Sequence, residues 1–392
     1  MSGSLLVIAG EVSGDLHAGA VVNALMEKDA DLHAFGIGGD RLAQSGMEIL
    51  VHIREMSVFG PFAAIRRYPH FRRVFRRMVD EARERRPSVA LLVDYGGFNL
   101  RIAPVLKRLG IKVLYFISPQ VWASRPGRIR KMAEFADRLM VIFPFEPGVY
   151  QGTGLQVDFV GHPSKDRIAA HLETPEEDLP WSGEPRVALL PGSREQEIDK
   201  ILPVFLQAAH RIGHLVPGSS FLVAAPDKET EDLIRRRLGR SARQVDRLEI
   251  VSGRTMEVLR QARAAWVASG TATVEAAMLG CPMVIVYRAS PLFFALAKRL
   301  VKVPYIGMVN LIAKREVCPE LIQGAATGSA AANALIPLLG DTGERDLMVQ
   351  ALRDVAQHLG PGGAAAKAAD LIAGELGIDT PGGSENLGGT NV

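Results

Sequence analysis

Short apolar runs alternate along this chain with longer segments in which apolar residues recur every three or four positions. In the first 165 or so residues the runs of strand length are Leu5–Ala9, Ala34–Ile37, Val89–Asp94, Lys112–Ile117 and Arg138–Ile142. A further short run, Val157–Val160, is closed by Gly161-His162-Pro163. Helical spacing separates most of them, which predicts a parallel, doubly wound sheet. Glu173 to Pro185 is rich in Pro, Glu and Asp, lacks periodicity and reads as a linker. The alternation restarts with Val187–Leu190, Phe221–Ala225, Leu248–Val251, Ala264–Ala268 and Met283–Tyr287. No repeat of short fixed period is present. The pattern divides the chain into α/β domains at 1–168 and 169–376, with the last helix able to pack back on the first domain. The remainder, 377–392, is rich in Gly, Asn, Ser and Thr and is expected to be a disordered tail.

Composition changes this picture little. A length of 392 residues suits two domains, and 47% hydrophobic with 23% charged residues is ordinary for a soluble globular protein. Cys281 and Cys318 offer neither a disulfide framework nor zinc-ligand spacing, which fits a reducing compartment. Leu5–Ala9 is too short for a signal peptide's apolar region and no basic residue precedes it. No uncharged run approaches the roughly 18 residues needed to span a bilayer.

Three strand-to-helix turns carry the chemistry. Gly10-Glu11-Val12-Ser13-Gly14-Asp15 follows the first strand, Pro191-Gly192-Ser193-Arg194 follows Val187–Leu190, and Ser269-Gly270-Thr271-Ala272-Thr273 follows Ala264–Ala268. Such turns present backbone N–H groups at a helix N-terminus, where anions bind. In the first, Glu11 would repel a pyrophosphate; it suits a sugar hydroxyl or an acceptor proton, or else caps the helix together with Asp15. In the second, Gly192 permits close approach, Ser193 can donate and Arg194 can grip a phosphate. Ser193 also fits a helix cap with Gln196 as its partner. In the third, Glu275 can accept both hydroxyls of a ribose, or simply complement the helix dipole.

Other residues enter by position. Asp94 ends a strand, where ligands gather in open α/β sheets, and is a general-base candidate. An Asx-turn before Gly96-Gly97 is the alternative. Asn99 follows in the same stretch. Ser118-Pro119-Gln120-Val121-Trp122 ends the next strand and can line the same cleft, although Trp122 suits a core equally well. Asp29-Ala30-Asp31 matches a metal motif in letters only, His162 is alone in its turn, and no His/Cys/Glu cluster has metal-ligand spacing. No nucleophilic triad can be assembled, and neither a metal nor another cofactor is expected.

The net charge is only +3, yet the basic residues are clumped. From Tyr68, Phe71, Val74, Phe75 and Met78 follow helical spacing while Arg72, Arg73, Arg76 and Arg77 fill the other face, with Arg66 and Arg67 upstream. After Ser290-Pro291, Phe293, Leu296, Ala297, Leu300 and Val301 share a face beside Lys298, Arg299 and Lys302. Basic amphipathic helices lie on anionic lipid; the alternative is an ordinary core-facing helix with a solvated charged face. No nucleic-acid-binding motif accompanies the arginines.

Together these residues resemble the lipid-A-disaccharide synthase family from about residue 4 to 375. The likeness rests on Gly-Glu-Val-Ser-Gly-Asp, Ser118 to Ala123, Phe143-Pro144-Phe145-Glu146, Phe159 to Pro163, Leu189 to Arg194, Ala268 to Glu275, Cys281 to Val284 and Ala297 to Lys302. The resemblance implies a GT-B fold, two Rossmann-like doubly wound domains facing a central cleft, and an inverting, metal-independent transfer. It implies UDP-2,3-diacylglucosamine as donor and 2,3-diacylglucosamine 1-phosphate (lipid X) as acceptor, giving a β-1,6-linked disaccharide and UDP. It also implies a peripheral location on anionic lipid at the cytoplasmic face of a Gram-negative inner membrane; a homodimer is compatible with it. By motif, Glu11 with Ser13 and Gly14 falls on the acceptor side, and Gly192, Ser193, Arg194, Ser269, Gly270, Thr271 and Glu275 on the donor side. Asn310, in Val309-Asn310-Leu311-Ile312, matches a position implicated in function. Members of that family can read Ile-Asp-Ala-Pro-Asp-Phe-Asn where this chain reads Val93-Asp94-Tyr95-Gly96-Gly97-Phe98-Asn99, and Ser88 stands where an Asp can occur. Gly97 replaces the second Asp, so Asp94 or Glu11 must supply any carboxylate base. The nearest rivals are a UDP-sugar 2-epimerase of the same fold and a non-catalytic nucleotide-binding or nucleic-acid-binding module.

Overall fold

The computed structural model describes residues 3–56, 61–120, 122, 127–239, 244–291, 294–295 and 303–378, with backbone alone for 61–67. Residues up to Pro163, together with those from Gly362, form one unit; Ser164–Pro361 form the other.

The first unit holds a parallel sheet of strands β1 (Ser4–Ala9), β2 (His33–Gly38), β3 (Glu48–His52), β4 (Val89–Val93), β5 (Lys112–Phe116), β6 (Arg138–Val141) and β7 (Gln156–Phe159). Their spatial order is β3-β2-β1-β4-β5-β6-β7. Strands β1, β4 and β5 are almost wholly buried, as expected of near-continuous apolar runs covered on both faces. The chain winds outward in both directions from the β1–β4 pair, in which Ala9 stands beside Val93. That pair is the topological switch point, where open α/β sheets leave a crevice beyond their carboxyl ends.

The second unit repeats the plan with β8 (Arg186–Leu190), β9 (Ser220–Ala225), β10 (Leu248–Ser252), β11 (Ala264–Ala268), β12 (Met283–Tyr287) and β13 (Glu320–Ile322), in the order β10-β9-β8-β11-β12-β13. The switch point lies between β8 and β11, where Leu190 pairs with Val267. Trp266, fully buried on β11, donates its Nε1–H to the Ala331 carbonyl at 2.9 Å.

The helix Ala364–Leu376 follows the second unit in sequence but packs on the helix Val12–Met26 of the first. Small buried residues, Ala364, Ala368, Ala369 and Ala373, bring the two helices close, with Ile372 between them. Ion pairs tie it down: Lys28 to Asp370 at 2.7 Å, and Lys112 and Arg138 to Glu375 at 2.5 and 3.3 Å.

The helix Pro61–Arg85 corrects the reading of its apolar face as membrane-facing. Val74 and Met78 are buried in the core over the first sheet, and Phe71 and Phe75 pack against that core. Burial of these groups stabilises the fold, so they are not available to insert into lipid. Arg72, Arg73, Arg76 and Arg77 do lie on the exposed face. The basic stretch 296–302, Phe293 and the side chains of Arg66 and Arg67 lie outside the described residues, as does 379–392. Among the described residues no helix is long and apolar enough to cross a membrane.

Candidate active site

The first unit's switch point gathers the turns after β1, β4 and β5. Glu11 occupies the cap position of the helix Val12–Met26 in extended backbone, and its exposed side chain makes no cap hydrogen bond. Val12 and Ser13 beside it are exposed as well. Asp94 and Tyr95 both adopt left-handed backbone, φ 44° and 46°, a conformation costly for non-glycine residues. The strain is held by hydrogen bonds: the Asp94 carbonyl accepts from Tyr115 Oη at 2.5 Å and Asn99 Nδ2 at 2.9 Å. The Tyr95 ring lies flat on Gly10, where a Cβ would meet ring carbons at 2.2 Å. Gly96 is likewise closed against Pro119. Burial, reinforced by the nearby Glu11 charge, pushes the Tyr95 hydroxyl up to about 12, so it stays a proton donor at neutral pH. Its bond to the Met56 carbonyl is long, 3.5 Å.

Three residues read as ligand-facing or capping serve the fold instead. Asp15 does not cap its own helix; its buried carboxylate accepts from the N–H groups of Gly39, Arg41 and Leu42 at 2.6, 3.0 and 3.2 Å, capping the helix Asp40–Gln44. Asn99, assigned above to substrate, is fully buried and spends Nδ2 on the carbonyls of Ile8, Val93 and Asp94, clamping β1 to β4. Gly14 is buried beside Ala9 and the Val93 carbonyl, where it provides close helix-to-strand packing. Asp29 accepts from the Asp31 N–H at 3.0 Å, a local turn rather than a metal pair.

Beyond β5 and β6 lies a group whose arrangement periodicity does not reveal. Glu146 is buried and accepts from Trp122 Nε1 at 3.2 Å and from the Ile142 and Phe143 N–H groups at 3.2 and 3.0 Å. Burial outweighs those three bonds and pushes its carboxyl up to about 7. Trp122 meets Phe145 edge-on at 4.9 Å, Phe145 stacks on Phe143 at 5.8 Å, and Ser118 bonds Tyr150 at 2.9 Å.

On the second unit, the register of β8 with β11 sets the turns at Gly192 and Gly270 side by side on one sheet edge. Gly192 has φ +108° and a Cβ there would meet Glu197 Oε2 at 2.6 Å, so no other residue fits without strain. Arg194, not Ser193, is the cap residue of the helix Glu195–Leu215, and no side chain caps it. Among the described residues the first-turn N–H groups have no side-chain acceptor, and anions bind at such helix starts. Ser193 and Arg194 are exposed; Arg194 reaches Glu197 at 3.1 Å. Gly270 and Thr271 are exposed and a Cβ on Gly270 would meet open space. Ser269 is turned inward, donating its hydroxyl to the Ile306 carbonyl at 3.1 Å, and the buried Thr273 hydroxyl donates to Gly270 O at 2.7 Å. The donors facing outward at this turn are thus fewer than the sequence suggests.

Glu275 sits in the helix Thr271–Met278, one position beyond the first turn, and is largely buried. Burial raises its pKa, opposed by Arg167, whose Nη2 donates to Oε1. Arg167, two residues after Lys165 in an unremarked stretch, was not legible as a partner. Asn310 is assigned to substrate by motif. It is fully buried with all four hydrogen-bonding positions taken: Nδ2 donates to Cys318 O and Glu320 Oε1, both at 2.8 Å, and Oδ1 accepts from the N–H groups of Val317 and Cys318 at 2.7 and 2.9 Å. It holds the loop before β13 in place and has no capacity left for a ligand.

Residues 5–370 match the model of a family described as lipid-A-disaccharide synthetase. The chain belongs to that family. A lipid-A-disaccharide synthase of Anaeromyxobacter sp. (strain K) is 40% identical over 379 residues, covering 96% of this chain and 98% of the relative. The corresponding protein of Myxococcus xanthus is 38% identical over 372 residues, covering 94% and 96%. Solved structures share the fold at low identity. A UDP-GlcNAc 2-epimerase from Neisseria meningitidis bound to UDP-GlcNAc superposes with a TM-score of 0.64 at 10% identity, over 96% of this chain and all of that one. The glycosyltransferase of kitacinnamycin gives 0.65 at 14%, over 96% and 99%. The architecture is thus the α/β arrangement of two parallel sheets found in glycosyltransferases and UDP-sugar epimerases. Within this synthetase family the departure at Gly97 has a simple setting: Gly97 is exposed near the start of the helix Gly96–Arg108, with open space where a side chain would go.

Proposed function

We propose that this chain transfers the diacylglucosaminyl group of UDP-2,3-diacylglucosamine to the 6-hydroxyl of 2,3-diacylglucosamine 1-phosphate (lipid X), with inversion, forming a β-1,6-linked disaccharide 1-phosphate and UDP. The observation that carries the reading is that each switch point bears one half of the chemistry. Carboxylates stand at the first, and uncapped amide turns with an exposed arginine stand at the second. The family's name supports a lipid A disaccharide as product, and the two diacylated substrates are those the sequence resemblance implies.

The donor lies at the β8–β11 edge, its pyrophosphate on the first-turn amides of Glu195–Leu215 and Thr271–Met278 and beside Arg194, its ribose on Glu275. The acceptor lies at the β1–β4 edge. Asp94 takes the proton of the 6-hydroxyl as the oxygen attacks the anomeric carbon. The bond to the UDP oxygen breaks on the opposite face, its electron pair leaves with the β-phosphate, and amides and Arg194 stabilise that charge. The braced left-handed backbone favours Asp94 over Glu11 as base, because it holds the main chain from which the carboxylate projects. Glu11 binds an acceptor hydroxyl, and Tyr95 donates to the same sugar. The exposed arginines 72, 73, 76 and 77 hold the protein on anionic lipid at the cytoplasmic face of the inner membrane, without apolar insertion by their own helix.

Incubation with the two diacylated substrates and mass spectrometry of the products tests the reaction: disaccharide 1-phosphate and UDP are expected. Asp94→Asn should lose about 100- to 10,000-fold in turnover with both substrates saturating. Near-normal turnover in that variant transfers the base role to Glu11.

A further inference from the structure

We infer that Arg167 is a positioning residue for the donor site, holding Glu275 ionised and aimed so that it accepts the hydroxyls of a nucleotide ribose. The inference rests on the UDP-sugar reading and adds a control residue to it. Glu275 is only 15% exposed, and burial disfavours the charged form that makes the better acceptor. An ionised carboxylate accepts on both oxygens; a protonated one must present a donor in their place. Arg167, on the helix Ser164–Glu173 packed against Thr271–Met278, donates to Oε1 alone. Oε2 takes no part in that bond, so one guanidinium restores the charge without covering the whole carboxylate.

Among the described residues the charge acting on Glu275 is that of Arg167. Other charged groups on the same helix are directed elsewhere. Lys165 donates to the Ala356 and Gly360 carbonyls, His171 lies 2.8 Å from Glu257, and Asp166 is exposed. Arg167 itself is 39% exposed, and its removal leaves an exposed helix position.

UDP is the probe. Calorimetric titration from about pH 5.5 to 8.5 compares the wild type with R167Q, R167K and E275Q, and thermal midpoints confirm that each variant is folded. Removing Arg167 raises the Glu275 pKa further. R167Q should therefore bind UDP more weakly than the wild type at the acid end of the range and approach the wild type near pH 8.5. Its KM for the donor should rise while kcat at saturating donor holds, and R167K should restore binding. E275Q should be weak at every pH. If R167Q follows the wild-type pH profile while E275Q binds poorly, Arg167 does not serve Glu275. A pH-independent loss in R167Q makes Arg167 a direct phosphate ligand and also overturns the inference. Normal binding by E275Q removes the ribose reading itself.

Discussion

Two glycines on the donor unit separate what the fold requires from what the ligand requires. Gly192 has a left-handed φ and Glu197 close by, so Gly192→Ala should destabilise the protein by about 1–3 kcal/mol, measured by chemical unfolding. Gly270 has extended backbone and open space around it, so Gly270→Ala should leave the thermal midpoint unchanged while lowering transfer, because the added methyl meets only an approaching phosphate. A normal rate in Gly270→Ala would show that the pyrophosphate does not approach that turn. The same reasoning separates the residues that were legible from those that were not. Glu11, Asp94, Ser193, Arg194 and Thr271 stand on exposed or half-exposed turns, and turn position is visible in a sequence. Asn99 and Asn310 look alike on paper, yet the Asn99 Nδ2 reaches the Ile8 carbonyl 91 residues away, and the Asn310 amide is spent within the loop before β13, contacts that only the folded chain brings within reach. Tyr95 and Arg167 carried no signal, because one is defined by its backbone angle and the other by a partner 108 residues away.

At the scale of elements, the helix Pro61–Arg85 has a pattern that suits two environments, lipid or core, and the sheet beneath it decides between them. Met78→Ala should cost about 2–5 kcal/mol by unfolding, as for other buried methionines. Replacing Arg72, Arg73, Arg76 and Arg77 together with Ser should leave stability nearly unchanged and release the protein from anionic vesicles. Each cation near such a surface contributes roughly 1 kcal/mol. Co-sedimentation that persists in that variant would place the attachment elsewhere. Strands β3 and β13 escaped prediction for a related reason. Both lie at sheet edges, β13 is three residues long, and β3 begins with Glu48 and ends with His52, so neither shows the buried run that marks the central strands. The central strands were legible because burial on both faces leaves them no polar alternative.

For the whole molecule, Glu146 links stability to pH. Its carboxyl sits near 7 in the fold against an ordinary 4.5, so between those values the folded protein keeps a proton the unfolded chain has released. The associated stability is fully present below 4.5 and is lost as pH rises through 7, a difference on the order of 3 kcal/mol. Glu146→Gln should lack that component, so its unfolding midpoint in urea should gain on the wild type between pH 5 and 8; parallel curves would show that Glu146 does not titrate there. The closing helix Ala364–Leu376 has a consequence of another kind. A ribosome delivers residues up to Pro163 long before it delivers the helix that covers Val12–Met26 and neutralises Lys28 and Arg138. The unit that starts earlier in the sequence is therefore completed later: while the chain is being made, Ser164–Pro361 has all of its own sequence and can settle, and the segment before it waits for Ala364–Leu376 before the helix Val12–Met26 is covered.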